Sequence, residues 1–252
     1  MSLLNSNELL NRVFLVVGSD TGVGKTVFSG LFAKYIVNKG LGVSLFKPFC
    51  SGGREDIEFL ERANAEINQA NVNDWYFEKP ISPAAWELRY REKIDFNNII
   101  EKLKQRSLRK DTDIIMIEGV GGLLAPINSG HTVASIGQII GAQLVIVAAN
   151  KVGVINHVLL SIEAALSRGL SIAAVILMEQ EEQDSSAADN AELIRMHSPE
   201  MANFKGVYEF PWLGKEADNP EIIPFNVKKA EKILEIIFDE VFSPCFFNDS
   251  NH

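Results

Sequence analysis

Cysteine, histidine and long apolar runs are scarce in this sequence, and each shortage excludes a class of protein. Its two cysteines, Cys50 and Cys245, lie far apart, which predicts free thiols in a reducing compartment and no disulfide framework. The four histidines do not show the spacing of metal ligands. No apolar stretch is long enough to cross a bilayer. The first residues lack a basic segment followed by an apolar one, so we expect a cytoplasmic protein.

Positive charge is also in short supply. The sequence has 24 lysines and arginines against 33 acidic residues, a net charge of −9. This balance argues against nucleic acid or an anionic membrane as the main partner. The composition, 46% hydrophobic and 23% charged, is that of a globular protein. The length suits a single domain over residues 1–252, with loosely ordered ends at 1–11 and 246–252.

Short apolar runs alternate with helical patterns along the chain. Because the apolar runs are nearly continuous in Val, Ile and Leu, they predict a mostly parallel sheet covered on both faces. The alternation of strand and helix predicts a doubly wound α/β fold. The predicted strands lie at residues 13–17, 43–46, 114–117, 144–148, 173–177 and 207–210. The predicted helices lie at residues 25–38, 56–65, 96–105, 132–140, 156–167, 187–196 and 227–242.

A glycine-rich loop follows the first predicted strand. Residues 18–26 read Gly-Ser-Asp-Thr-Gly-Val-Gly-Lys-Thr, a phosphate-binding pattern whose first glycine lies one place further from the lysine than usual. Gly22 and Gly24 leave backbone N–H groups free to surround an anion, and the following helix adds unpaired donors. Lys25 is placed for the terminal phosphates and the Thr26 hydroxyl for Mg²⁺. The loop therefore predicts a fold of the P-loop NTPase type.

Three further segments follow predicted strands, where ligands bind in parallel α/β sheets. Glu118 precedes Gly119-Val-Gly-Gly, so its carboxylate is placed for Mg²⁺ and the glycines for close approach of a ligand. Lys47 follows the second strand, and Asn150-Lys151 follows the fourth. Together, Lys25, Lys47 and Mg²⁺ supply more positive charge than nucleotide binding requires. The sequence therefore predicts a second anion beside the terminal phosphate.

With these segments in view, the chain resembles the dethiobiotin synthetase family. The matching stretches occur in the family's order, and the likeness covers roughly residues 12–215. The lysine–proline stretch and the Gly-Val-Ile-Asn-His stretch are the most specific of them. The stretches are residues 18–26, 47–52 (Lys-Pro-Phe-Cys-Ser-Gly), 118–122 (Glu-Gly-Val-Gly-Gly), 153–157 (Gly-Val-Ile-Asn-His) and 211–213 (Pro-Trp-Leu).

The resemblance implies a ligase of biotin biosynthesis with ATP as co-substrate and Mg²⁺ as cofactor. One amine of 7,8-diaminononanoate would capture CO₂, supplied as CO₂ or bicarbonate, as a carbamate. The γ-phosphate of ATP would move to the carbamate to form a carbamic-phosphoric anhydride. The second amine would then displace phosphate and close the ring of dethiobiotin. The family also implies a homodimer, and the reaction requires no covalent protein nucleophile.

The resemblance assigns roles to individual residues. Lys25 and Lys47 match the catalytic lysines that hold the phosphates and the carbamate, and the implied Mg²⁺ ligands are Thr26, Asp56 and Glu118. The implied nucleotide-binding residues are Gly22, Val23, Gly24, Lys25, Thr26, Val27, Glu118, Pro211, Trp212 and Leu213. The implied substrate-binding residues are Lys47, Ser51, Gly121, Gly122 and Asn156, the last acting across the dimer interface.

Several positions leave alternatives open. Asn156 is also a good helix N-cap, and Trp86 would either line the alkyl chain of the diamine or fill the core. Met178-Glu179 stands where family members often carry the Asn-Asp pair that reads adenine. Gly22 stands where many members have an acidic residue.

Two other functions share the glycine loop. A MinD/ParA-like ATPase switch would bind nucleotide without making a small-molecule product, but such proteins usually carry a lysine where this chain has Ser19. A GTPase is suggested by Asn150-Lys151, but the aspartate that this motif requires is replaced by Gly153. The sequence therefore favours the synthetase and keeps the switch as the alternative.

Overall fold

The computed structural model describes residues 12–63, 72–107 and 112–243. The predicted loose ends at 1–11 and 246–252 lie outside these ranges, as does Cys245. The described strands are β1 (Val13–Gly18), β2 (Val43–Phe46), β3 (Phe49–Ser51), β4 (Trp75–Phe77), β5 (Ile114–Gly122), β6 (Gln143–Ala149), β7 (Ser171–Met178) and β8 (Gly206–Phe210).

The described helices are α1 (Lys25–Asn38), α2 (Glu55–Ala63), α3 (Pro83–Tyr90), α4 (Phe96–Ser107), α5 (Val133–Ile140), α6 (Val154–Leu166), α7 (Ala187–His197), α8 (Ile223–Lys229) and α9 (Glu231–Ile237). A 3₁₀ turn at Pro220–Ile222 precedes α8, and a π-helical turn at Phe238–Phe242 follows α9. Within the described ranges, no helix combines the length and the apolar character needed to cross a membrane.

Six strands form one sheet in the order β2-β5-β1-β6-β7-β8, and each neighbouring pair is parallel. The short strands β3 and β4 form a separate parallel pair. The predicted parallel α/β fold is therefore confirmed. Because the strands run in one direction, the ends of β1, β2 and β5 meet at one edge of the sheet.

The sheet is covered on both faces, as the near-continuous apolar strands predict. Neighbouring residues of a strand point to opposite faces, and β1 shows this directly. Phe14 and Val16 pack in one apolar cluster with α1, α8 and α9, whereas Leu15 and Val17 pack in another with α5 and α6. Each face of the sheet therefore has its own core.

The π-helical turn at Phe238–Phe242 packs on the core beside α1, the helix that follows the glycine loop. The ring of Phe242 lies 4.0 Å from that of Phe14 in β1 and 4.5 Å from that of Phe32 in α1. The prediction of one helix over 227–242 was wrong, because this region holds α8, α9 and the π-turn. Helix α8 starts earlier than predicted because Pro224 fits the first turn of a helix, where its missing N–H costs nothing.

Two other boundaries differ in ways that affect the site. The predicted strand at 114–117 continues to Gly122, which pairs with Gly18, so Glu118 lies within β5 and not in a loop after it. Helix α6 begins at Val154 with Gly153 as its N-cap, at φ 89°. Asn156 is thus inside the helix, and its proposed role as an N-cap was wrong. The remaining predicted elements end within two residues of the observed ones wherever their bounds are described.

Strands β3 and β4 were not predicted. Each has three residues, too few for a recognisable periodicity. Helix α3 begins after Ser82, whose hydroxyl accepts from the Ala85 N–H at 3.3 Å. These elements matter because β3 carries Ser51 to the edge of the sheet where β1 ends.

Candidate active site

A cleft of about 640 Å³ opens at this edge of the sheet. Its floor is the glycine loop at residues 21–27. One arm, which we name the substrate arm, is lined by Lys47, residues 49–51 and residues 119–121. The other, the nucleotide arm, is lined by Trp212 and residues of the segment after it. The cleft therefore extends to both sides of the glycine loop.

The glycine loop takes a conformation that favours glycine at two positions. Gly22 has φ 67° and Gly24, the N-cap of α1, has φ 94°. A Cβ on Gly24 would lie 3.0 Å from the Met178 methyl, whereas a Cβ on Gly22 would meet nothing within 4 Å. Met178, at the end of β7, therefore supports the loop from behind. The unpaired N–H groups at the start of α1 face the cleft, as an anion site requires.

The ammonium of Lys47 joins three of the predicted site residues. Its Nζ lies 2.7 Å from Glu118 Oε1, 2.5 Å from Asp56 Oδ2 and 3.3 Å from Thr26 Oγ1. Glu118 is fully buried and Lys47 is 5% exposed. Side chains from α1, α2, β5 and the end of β2 thus converge on one cation.

Burial lowers the pKa of both lysines, but neighbouring charges outweigh burial at Lys47 and not at Lys25. Burial by itself lowers the pKa of Lys47, but the carboxylates of Glu118 and Asp56 outweigh burial, so that its pKa is raised. The pKa of Lys25 is lowered, chiefly by burial, and the nearby Lys47 charge adds to this against the opposing pull of Glu118. Lys25 Nζ donates to the Asp20 carbonyl at 3.3 Å. Among the described residues, Lys25 has no carboxylate within hydrogen-bond distance, so it is suited to a ligand that brings negative charge.

The same oxygen atoms fit the requirements of Mg²⁺. The Thr26 hydroxyl donates to Glu118 Oε1 at 2.8 Å, so a hydroxyl and a carboxylate oxygen are already adjacent. The other oxygen, Glu118 Oε2, is buried and has no hydrogen-bond partner in the part of the chain that the structure describes. Carboxylate and hydroxyl oxygens are the ligands that this cation prefers. Nowhere in the described ranges, this site included, is a group of three or more His, Cys, Asp or Glu side chains arranged to hold a metal, so the candidate ligands here are two carboxylates and a hydroxyl.

The substrate arm contains the predicted Ser51 and Gly121, together with residues that sequence reasoning missed. Gly122 pairs with Gly18 and lies just outside the lining. Cys50 and Pro80 also line the cleft. Burial raises the pKa of the Cys50 thiol, which makes it a poor nucleophile. Its position between Lys47 and Ser51 was the available signal that Cys50 belongs to the cleft.

In the nucleotide arm, Trp212 lines the cleft with 38% of its surface exposed. Its neighbour Leu213 is buried, and neither Leu213 nor Pro211 lines the cleft. Lys215 and Asp218 line it and were not predicted. The charged run that follows Pro-Trp-Leu in the sequence was the signal for these two residues.

Asn150-Lys151, which we expected at the same edge, does not line the cleft. The Asn150 side chain is fully buried and donates to Glu179 Oε1 at 2.7 Å, while its own Oδ1 accepts from Asn190 at 2.8 Å. Lys151 is exposed. This segment ties the ends of β6 and β7 to α7, so its role in the described chain is structural.

Two further residues lie outside the cleft. Asn156 is exposed in the first turn of α6. The Trp86 ring packs 5.2 Å from Phe77 and 4.2 Å from Tyr90, and its Nε1 donates to Glu92 at 2.8 Å. Of the two alternatives for Trp86, packing against the core is the one observed.

The fold and site together define a class of protein. A glycine loop joins the central strand of a parallel sheet to a helix, and a lysine, a hydroxyl and a buried carboxylate surround its end. This is the arrangement of a P-loop nucleotide-binding protein. In agreement, the sequence model of a protein family described as an AAA domain matches residues 12–215.

Curated relatives narrow the class to a family. The chain is 32% identical over 174 residues to the ATP-dependent dethiobiotin synthetase of Halalkalibacterium halodurans, which covers 66% of this chain and 71% of that protein. It is 33% identical over 187 residues to the synthetase of the same name from Chlorobaculum tepidum. The match covers 71% of this chain and 77% of that protein. The chain belongs to the dethiobiotin synthetase family.

Solved structures with low sequence identity share the fold. A nucleotide-binding protein of Archaeoglobus fulgidus in complex with ADP aligns with a TM-score of 0.51 and 14% identity, covering 88% of this chain and 92% of that one. A chain of the MinC:MinD cell division protein complex of Aquifex aeolicus aligns with a TM-score of 0.50 and 15% identity. The alignment covers 93% of this chain and 94% of that one. At these identities the likeness concerns the fold alone.

The two loop glycines provide a matched test of the site's backbone. We expect Gly24→Ala to lower the free energy of unfolding by about 2–3 kcal/mol, since it adds contact with Met178 to the strain of a positive φ. Gly22→Ala adds the strain alone and should cost about 1 kcal/mol. Urea unfolding of both variants measures the difference. Equal losses would show that Met178 does not constrain the loop.

Proposed function

We propose that this protein catalyses the ATP-dependent conversion of 7,8-diaminononanoate and CO₂ to dethiobiotin, as a cytoplasmic homodimer in biotin biosynthesis. The observation that carries the proposal is Lys47, a second buried lysine at the glycine loop, placed between that loop and the substrate arm. A site for nucleotide alone has no need of it. The names of the family relatives supply the reaction that fits such a site.

The proposed chemistry has three steps, each of which forms one bond. An amine of the diamine attacks CO₂, forms a C–N bond and loses a proton, which leaves a carbamate. A carbamate oxygen attacks the γ-phosphorus of ATP while the bond to ADP breaks, which gives the carbamic-phosphoric anhydride. The second amine attacks the carbonyl carbon, phosphate leaves and the ring closes. Negative charge accumulates at one place during the second step, so catalysis consists mainly of positioning and charge stabilisation.

The cleft residues suit these steps. The loop N–H groups around Gly22–Val27 would hold the triphosphate, and Lys25 would pair with its terminal phosphates. Lys47 would hold the carbamate and the phosphoryl group that moves to it. Ser51, Gly121 and the adjoining Gly122 would border the diamine. Because Lys25 and Lys47 come from separate segments, each can contact a different anion.

The metal would be held by Thr26, Asp56 and Glu118, whose oxygens already surround a cation in the structure. When bound, Mg²⁺ supplies charge neutralisation for the triphosphate. The fully buried Glu118 would fix the position of this ligand set, because its carboxylate belongs to a sheet strand.

The nucleotide base would lie against the segment after β8. The ring of Trp212 is partly exposed in the cleft, where it is available for stacking on a base. Leu213 and Pro211 would support it from behind. Asn226 donates to the Ala217 carbonyl at 3.3 Å, and this bond holds the end of the arm in place.

The proposed dimer interface lies on α6 and its surroundings. Leu160 is 55% exposed and lies one helical turn after Asn156, so the two side chains share a face. Val152, just before the helix, is 72% exposed. Covering these apolar side chains with a second copy would bury them and bring Asn156 towards the partner's diamine. This arrangement would explain why Asn156 lies outside its own cleft.

The alternative is an ATPase switch without a small-molecule product, since switch proteins can share the fold. The feature that favours the synthetase is the substrate arm, where Lys47 and Ser51 face a space beside the glycine loop. A switch that only senses the terminal phosphate has no use for this second compartment.

The proposal predicts a product. Incubation of the protein with 7,8-diaminononanoate, bicarbonate, Mg²⁺ and ATP should yield dethiobiotin, because the amine must be carboxylated before it can accept the γ-phosphate. Mass spectrometry would detect the product, and a coupled assay would follow ADP. The control omits the diamine. If ADP forms at the same rate without diamine and no dethiobiotin appears, the switch is correct and the synthetase is not.

Lys47 should matter more for turnover than for nucleotide binding. We expect Lys47→Ala to lower kcat by about 100-fold or more, because it removes a charge placed for the transferring phosphoryl group. The ATP dissociation constant should rise by about a few-fold at most, because only one phosphate contact is lost. Lys215→Ala, which removes a charge from the nucleotide arm, is the matched control. Similar losses in kcat and in ATP affinity for Lys47→Ala would remove the case for a second anion.

The apolar face of α6 predicts how the dimer can be broken. Leu160→Glu should give monomers in sedimentation velocity and lower dethiobiotin formation, because Asn156 would no longer reach the partner. Leu88→Glu, at a side chain that is 70% exposed on α3, is the control and should leave the assembly unchanged. An unaltered sedimentation coefficient for Leu160→Glu would place any interface elsewhere.

A further inference from the structure

The Lys47 ammonium lies within the oxygen set assigned to the metal. Its Nζ is 2.5–3.3 Å from Asp56 Oδ2, Glu118 Oε1 and Thr26 Oγ1. A lysine ammonium has three N–H donors, and each has one of these oxygens as its partner. The ammonium is therefore saturated by the atoms that would otherwise bind Mg²⁺.

A lysine and a divalent cation cannot share this position. Mg²⁺ binds oxygen at about 2.0–2.1 Å, so a metal that bound Thr26 Oγ1, Asp56 Oδ2 and Glu118 Oε1 would compete with Nζ for the same three oxygens. Two like charges so close together in a buried site repel strongly. The ammonium and the metal must alternate.

We propose that Lys47 is the resident cation of the metal-free site, and that it must leave Glu118 and Asp56 before a divalent metal can bind. The inference rests on the proposed function only in its assignment of Thr26, Asp56 and Glu118 to the metal. It adds that a metal ion alone is a poor competitor. The metal enters together with the nucleotide, whose phosphates hold it and attract the displaced ammonium.

The displacement is a movement of the side chain alone. The Lys47 N–H donates to the Val72 carbonyl at 2.8 Å, and the Lys47 carbonyl accepts from Asn73 Nδ2 at 2.9 Å. The backbone is thus fixed on both sides. The cleft that Lys47 lines gives its long side chain room to turn towards Ser51 and Gly121. The metal-bound state would therefore place the ammonium where the carbamate forms.

Lys25 cannot take over as the counter-cation of Glu118 without moving. Its Nζ donates to the Asp20 carbonyl, and no hydrogen bond joins it to Glu118 or Asp56 in the described chain. Because Glu118 is fully buried, it requires a cation at all times. Departure of Lys47 and arrival of the metal are therefore one exchange. This exchange makes occupation of the substrate arm by Lys47 depend on prior binding of metal and nucleotide.

Mn²⁺ binding to the nucleotide-free protein tests the exchange. We expect weak binding to the native chain and an affinity at least about tenfold higher for Lys47→Met, since the competing charge is gone. Electron paramagnetic resonance of free Mn²⁺ measures the affinity, and Mn²⁺ should also raise the melting temperature of Lys47→Met far more than that of the native chain. Neither readout requires catalysis, so they are independent of whether the protein makes dethiobiotin.

The matched control is Lys215→Met, which removes one positive charge from the same cleft but contacts Glu181 and none of the assigned ligands. Its Mn²⁺ affinity should stay near that of the native chain. The proposal is overturned if Lys47→Met binds Mn²⁺ no better than the native chain, or if Lys215→Met gains equally.

A measurement on the native chain covers the case in which Lys47→Met does not fold. In a crystal structure with Mg²⁺ and ADP, Lys47 Nζ should lie beyond about 4 Å from both Glu118 and Asp56, the limit of an ion pair. A structure with the metal on Thr26 and Glu118, and the ammonium still bonded to both carboxylates, would refute the exchange.

Discussion

A carboxylate buried inside a sheet must have a cation beside it, and Glu118 imposes this requirement on its surroundings. Removing a charge from water costs several kcal/mol unless a partner compensates. The partner here is Lys47, whose Nζ lies 2.7 Å from Glu118 Oε1. Asp56 and Thr26 complete the group from two helices. The glycine-loop helix, α2, β5 and the end of β2 are thus connected through one buried charge.

The topology of the sheet places the two arms of the cleft on opposite sides of the glycine loop. Strand β1 pairs with β5 on one side and β6 on the other, so the glycine loop emerges near the middle of the edge. Strands β5 and β2 carry Glu118 and Lys47 to one side of the loop, and β8 carries Trp212 to the other. Ligands bound in the two arms would therefore lie on opposite sides of a phosphate held at the loop.

Local sequence patterns were enough to predict most of the fold and the main residues of the candidate site. The apolar strands and the glycine loop are contiguous in sequence, so their pattern is legible there. The contact between Lys47 and Glu118 joins residues 71 positions apart, and no local pattern encodes it. The same limit explains Asn150, whose partners Glu179 and Asn190 come from other segments. Strands of three residues such as β3 derive their conformation from tertiary packing.

The position of Phe242 bears on how the protein is made. This ring packs on Phe14 and Phe32, which belong to the first strand and to the helix that follows the glycine loop. On the ribosome, the early segments emerge while their packing partner is still hidden in the exit tunnel. Helix α1 therefore has its full apolar cover only after residue 242 has emerged. Until then the nascent chain exposes the apolar face of α1, a surface of the kind that chaperones recognise.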